Sequence, residues 1–145
     1  MKYIIVILIF VLFSCAEKSK KQIIKTPNAP QAIGPYSQAI RAGNTMYLSG
    51  QIAINPKNGQ MINSDIVAET DRVMENIGAV LNEANMSYKD IVSATVYLKN
   101  IKEFDTFNRI YGKYFVADKP ARTTVEVSNL PRGARVEISV IAAKK

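Results

Sequence analysis

Apolar and polar positions alternate along this chain in runs that define its elements. Tyr3 to Phe13 is almost wholly apolar, and a polar stretch follows it. Gln38 to Ala42 has strand character, Ala42-Gly43-Asn44 can turn it back, and Thr45 to Ser49 completes a hairpin signal. Asn55-Pro56-Lys57-Asn58-Gly59 is a second turn, with Asn-Gly suited to positive φ. Ile66, Thr70, Val73, Ile77, Val80, Leu81 and Ala84 recur at helical spacing, with the acids, Glu69 included, and Arg72 on the other face, and predict one amphipathic helix ending near Asn85. Ile91 to Leu98 is rich in β-branched residues and reads as a buried strand. Phe104, Phe107, Tyr111, Tyr114 and Phe115 form the aromatic stripe of a second helix. Ala121 to Val127 and Arg135 to Ala143 are the last strands, joined by Asn129-Leu130-Pro131-Arg132-Gly133.

The predicted order is ββαβαββ, an α+β fold. βαβ crossovers of one hand place both helices on the same face of a mixed sheet. The opposite face keeps apolar side chains, and another subunit is the expected cover. The chain's 145 residues fit a single domain, and an apolar content of 48% suffices for an ordinary core.

The N-terminus reads as a processing signal. Lys2 is a short basic region, and the apolar run is too short for a spanning helix of about 20 residues. Leu12-Phe13-Ser14-Cys15 resembles a bacterial lipobox, with a bulky Phe13 at the spacer. A plain signal peptide or signal anchor with an unrelated cysteine is the competing reading. Residues 1–14 are thus expected to be a lipoprotein signal peptide, 15–25 an acylated Cys15 with a basic tether, and 26–145 the domain. A lipid-anchored location in the bacterial cell envelope, outside the cytoplasm, follows. Cys15 is the only cysteine, so no intramolecular disulfide can form.

Charge is concentrated in these leading segments. Ala16 to Lys25 holds four lysines and one glutamate, so the domain keeps only +3 of the chain's net +7. The basic run suits a solvated spacer near anionic headgroups. It does not form a nucleic-acid stripe on a folded face, and no nucleic-acid partner is expected.

The absence of histidine, and of cysteine within the domain, excludes His/Cys zinc sites and His-dependent nucleophilic triads. No Gly-rich phosphate loop occurs. Chemistry must come from carboxylates, arginine, tyrosine, hydroxyls and amides. Two charged residues lie within apolar strands: Arg122 in Pro120-Ala121-Arg122-Thr123-Thr124-Val125-Glu126-Val127, and Glu137 in Val136-Glu137-Ile138-Ser139-Val140. A guanidinium grips a carboxylate through two parallel hydrogen bonds. A partly desolvated carboxylate relays protons. On pattern alone, an edge-strand arginine and solvent-facing glutamates, Glu126 included, fit as well.

Four stretches together resemble the RidA (YjgF/Rid) family. They are Asn28-Ala29-Pro30-Gln31-Ala32-Ile33-Gly34-Pro35-Tyr36-Ser37-Gln38, then Leu48-Ser49-Gly50-Gln51-Ile52 with Asn55 to Gly59, then Pro120 to Val127, and finally Leu130-Pro131 through Val136-Glu137-Ile138. The resemblance spans Thr26 to Lys145. It implies a chorismate-mutase-like fold, a homotrimer, and clefts between subunits. It implies hydrolysis of enamines and imines such as 2-aminoacrylate, 2-iminopropanoate and 2-iminobutanoate to 2-keto acids and ammonia, with no metal or organic cofactor. Carried over by position, Arg122 matches the arginine that grips the substrate carboxylate. Glu137 matches the acid that orients or activates water. Tyr36 lines the pocket, Ser49 and Gly50 form a wall, and Asn108 is a cleft asparagine. Thr124 stands where many relatives carry cysteine, and its backbone is expected to donate to the substrate carboxylate. The alternative reading is a small-carboxylate-binding or chaperone-like module of the same fold, without turnover. Ribonuclease-like activity, also linked to relatives, is poorly served by a chain without histidine.

Overall fold

The computed structural model describes residues 20–144. The apolar run, the lipobox-like segment and Cys15 lie outside the described residues. Among those described, no helix is long and apolar enough to cross a membrane.

Six strands form one sheet: β1 (Gln22–Ile24), β2 (Ala39–Ala42), β3 (Thr45–Gln51), β4 (Ile91–Leu98), β5 (Ala121–Glu126) and β6 (Val136–Ala143). Their spatial order is β1-β2-β3-β6-β4-β5. Only β4 and β5 run parallel; the other neighbours are antiparallel. Helix α1 (Ile66–Glu83) connects β3 to β4, and α2 (Phe104–Tyr111) makes the crossover from β4 to β5. The expected mixed sheet with two helices on one face is what forms.

Two expectations need correction. Gln22–Ile24, assigned from sequence to the tether of residues 15–25, pairs with Arg41, Ile40 and Ala39 as a strand. Ile24 is buried, so its apolar side chain draws this segment into the fold. The second helix is also shorter than its aromatic stripe. It passes at Gly112 into a 3-10 turn through Tyr114, which tightens the end of the element.

Strand alternation decides what each sheet face carries. Met46 and Leu48 of β3, Ala94, Val96 and Leu98 of β4, and Val136, Ile138, Val140 and Ala142 of β6 are all buried. They form one core with Val73, Ile77, Val80 and Leu81 of α1 and Phe107 and Tyr111 of α2. The opposite parity, including Tyr47, Tyr97, Val125 and Glu137, makes the second face. There Tyr47 is 52% exposed and Val125 40%. Asp65 caps α1 by accepting from Ala68 N–H at 2.9 Å. At the other end Asn85 adopts positive φ, and Lys144 Nζ donates to its carbonyl at 2.7 Å.

Candidate functional site

Glu137 lies on the second face of β6, in register with Tyr97 of β4. It lines a pocket of about 290 Å³ with Tyr36, Ser49, Gly50, Ile33, Ile52 and Pro131. The β3–β6 register shifts between Leu48 and Gln51. That irregularity sets Ser49 and Gly50 across from Ser139, with Gly50 against the Glu137 side chain. A Cβ on Gly50 would overlap Oε1 of Glu137, so the carboxylate occupies space that any other residue there would fill. Among the described residues no hydrogen bond or ion pair reaches the Glu137 carboxylate. Burial pushes its pKa above the ordinary 4.5.

The walls of this pocket are held by buried amides. Gln38 accepts from Thr26 N–H at 2.7 Å and donates to the carbonyls of Thr26, Ala29 and Pro30 at 3.1, 3.2 and 2.8 Å. The strap from Thr26 to Gln38 is thereby wound around one side chain. Ser49 Oγ donates to Ser37 O at 2.7 Å and closes the strap onto β3. Tyr36 is half-exposed, and its hydroxyl accepts from Ile33 N–H at 3.2 Å. Asn76 of α1 donates to Ile52 O at 3.2 Å and Ile54 O at 3.0 Å, pinning the opposite wall.

Arg122 occupies different ground. It pairs in register with Ala94, a core-facing residue of β4, so its side chain leaves the sheet on the helix side. Its Nη2 donates to Asn108 Oδ1 at 2.6 Å. Both line a second pocket of about 380 Å³ with Tyr111, Phe115, Lys119 and Pro120. Thr124 has the same parity, opposite Val96. Its Oγ1 is enclosed without a partner among the described residues, and its side chain lines neither pocket. β5 is an edge strand, so only β4 pairs with it.

The candidate residues therefore separate into two groups. Tyr36, Ser49, Gly50 and Glu137 surround one pocket, and Arg122 and Asn108 the other. The two pockets share no lining residue. Arg122 and Glu137 sit on opposite faces of the sheet, and a single chain does not bring them together.

Three buried residues escaped the sequence reading. Gln38 stood there only as the start of a strand signal and within a family-like stretch. Asn76 lies within the apolar stripe of α1, and that polar interruption was its signal. Glu69 was assigned to the polar face of α1, yet it is fully buried. Its Oε2 accepts from Arg135 N–H at 2.8 Å, while the Arg135 guanidinium lies 3.6 Å from its Oε1 and 3.3 Å from Glu103 Oε1. Burial raises the Glu69 pKa against these favourable contacts. This trio ties α1, the approach to α2 and the start of β6 together. Glu126, flagged as solvent-facing, accepts from Ile101 N–H at 2.8 Å and caps the turn before α2.

A family model described as Endoribonuclease L-PSP matches residues 26–144. A RutC family protein of Pyrococcus horikoshii is 49% identical over 125 residues, covering 86% of this chain and 99% of that protein. The 2-iminobutanoate/2-iminopropanoate deaminase of Mus musculus is 41% identical over 124 residues, 86% of this chain and 92% of its own. Among solved structures, a putative endoribonuclease from Thermotoga maritima superposes with a TM-score of 0.84. It is 43% identical and covers 86% of this chain and 98% of that one.

Proposed function

The chain belongs to the endoribonuclease L-PSP (RidA) family, and on that premise we propose that it hydrolyses small imino and enamino acids to 2-keto acids and ammonia. The observation that carries this reading is a guanidinium held in a pocket with no carboxylate partner among the described residues. Such a cation is ready for an anionic ligand. The deaminase name of the mouse relative supports the choice of ligand.

The opposed placement of Arg122 and Glu137 gives the reading a shape. The working cleft joins the Glu137 pocket of one copy to the Arg122 pocket of a second, in a homotrimer whose contacts cover the second sheet face. Arg122 fixes the substrate carboxylate, which makes attack on the bound imine effectively unimolecular. Glu137 accepts a proton from water as the oxygen adds to the carbon of the protonated imine. The same carboxyl then returns that proton to the nitrogen of the carbinolamine, and takes up the hydroxyl proton as the C–N bond breaks, the C=O forms and ammonia leaves. A pKa raised by burial suits a carboxyl that both takes and gives a proton. Tyr36 and the Ser49–Gly50 wall enclose the reacting carbon. No metal or organic cofactor is required by these steps.

The test is ammonia release from 2-iminopropanoate generated in place. Wild-type protein is expected to accelerate it, and Arg122→Ala to lose that acceleration. Undiminished turnover by Arg122→Ala removes the assignment. Binding of 2-keto acids without turnover would favour the alternative, a carboxylate-binding module. RNA cleavage, which the family description names, is poorly served by a chain with no histidine for acid–base work.

The lipobox-like Cys15 supports a further part of the proposal, anchoring at the cell envelope with the domain outside the cytoplasm. Loss of lipid labelling in Cys15→Ser is its check. An envelope location requires a source of imines outside the cytoplasm.

A further inference from the structure

The aromatic stripe of α2 does more than fill the core. Phe104, Phe107, Asn108 and Tyr111 follow the spacing that places residues on one helix face. That face is turned to Arg122. The guanidinium carbon lies 5.7 Å from the Phe104 ring centre, 5.4 Å from Phe107 and 4.8 Å from Tyr111. All three are within the range of cation–π attraction. Asn108 takes one N–H of the guanidinium at 2.6 Å.

None of these four neighbours carries a negative charge. Arg135 offers the contrast within the same fold, because Glu69 and Glu103 flank it at 3.6 and 3.3 Å. Arg135 is a neutralised strut; Arg122 is held but not neutralised. Tyr111 remains uncharged as well, since burial pushes its hydroxyl up to about 12.

We propose that α2 is a neutral cradle, in which Tyr111, with Phe104, Phe107 and Asn108, positions Arg122 while leaving its charge available to a ligand carboxylate. The identity of that ligand rests on the imino-acid reading above. The physical logic is a competition. A carboxylate beside Arg122 would fix the side chain equally well but would occupy the charge the ligand needs. Aromatic faces and an amide oxygen restrict a long, flexible side chain without that conflict. Tyr111 is a positioning residue here, acting through Arg122.

The experiment uses the full chain, with pyruvate binding by calorimetry and steady-state kinetics on 2-iminopropanoate. Asn108→Asp is nearly isosteric and places a charge against the guanidinium. It is expected to keep or raise the melting temperature while weakening pyruvate binding and raising KM by about tenfold, with kcat less affected. Tyr111→Leu keeps an apolar side chain but removes the π face. It is expected to raise KM by roughly three- to tenfold, and Tyr111→Phe to restore it. Pyruvate binding as tight in Asn108→Asp as in wild type overturns the cradle, and so does a Tyr111→Phe variant as impaired as Tyr111→Leu. If Tyr111→Leu fails to fold, Asn108→Asp decides. Arg122→Ala separates the two levels. When it abolishes pyruvate binding and Asn108→Asp does not weaken it, the cradle fails and the functional reading stands. When wild type binds no pyruvate, or Arg122→Ala binds it unchanged, both fall.

Discussion

The Glu137 pocket and the Arg122 pocket hold their charged groups by opposite means. Glu137 is placed by backbone: a β-bulge, a glycine with no Cβ to obstruct it, and a strap wound around Gln38. Arg122 is placed by side chains, three aromatic rings and one amide from a single short helix. Among the described residues, neither charge is satisfied by a counter-ion. A protein built for stability alone pairs its half-buried charges, as this one does at Arg135. Two groups of opposite sign, unpaired among the described residues and on opposite faces of one sheet, support the proposal that each pocket is half of a site.

The comparison breaks most sharply if the halves work separately. Arg122→Ala and Glu137→Gln are each expected to lower kcat/KM by about 100- to 1,000-fold, the scale for loss of a preorganised charged group. Mixed assemblies of the two inactive variants are expected to regain part of the activity, through clefts that combine an intact Arg122 pocket with an intact Glu137 pocket. Failure to regain any, in assemblies shown to be mixed, would argue against a shared cleft.

Gly50→Ala addresses the backbone side. Its Cβ would overlap the Glu137 carboxylate. Displacement of a reacting group by about 1 Å costs on the order of 100-fold in rate, and strain of this kind destabilises by about 1–3 kcal/mol. Kinetics together with urea unfolding would measure both. Pyruvate affinity should fall less than turnover, because Arg122 is untouched.

Asn76→Ala is a gentler probe of the same pocket. It removes the donor to Ile52 O and Ile54 O, which predicts a loss of about 1–2 kcal/mol in denaturant unfolding. The Arg122 half should remain unaffected.

The smallest effect concerns pH. Burial raises the folded-state pKa of Glu137 above 4.5, so folding favours its protonated form. The stability this contributes is fully present below pH 4.5 and is lost as pH rises through the folded pKa. Glu137→Gln should therefore melt slightly higher than wild type at neutral pH, with the gain vanishing below about pH 4.5. A variant that melts lower at pH 7 would mean the carboxylate has a favourable partner.

Much of the architecture was legible in the chain. Ile91–Leu98 forms a strand over the span its β-branched run predicted, and α1 begins at Ile66 as its periodicity required. The misplaced features have physical causes. β1 is three residues long and was hidden in a basic segment. Its strand character comes from pairing with β2 and from burial of Ile24, neither of which is local. Glu69 was read as solvent-facing because nothing near it in sequence explains a buried carboxylate. Its partner Arg135 lies 66 residues away.

β5 shows where the sequence stops. In Ala121-Arg122-Thr123-Thr124-Val125-Glu126, alternation suggests Val125 inward and Arg122, Thr124 and Glu126 outward. The fold reverses this for all but Glu126, which stays exposed: Val125 is 40% exposed, Arg122 is half-buried and Thr124 Oγ1 is enclosed. The sequence by itself determined five of the six strands, both helices and the exclusion of histidine chemistry, through local periodicity and composition. Arg122 and Glu137 stood out as charges within apolar strands, and the other candidate residues came from the family resemblance. The face each strand residue takes was decided by register: Arg122 lies beside Ala94 and Glu137 beside Tyr97. A shift of one residue would exchange the faces. Register is set by pairing between distant strands, so only the tertiary structure could put the guanidinium and the carboxylate on opposite sides of one sheet.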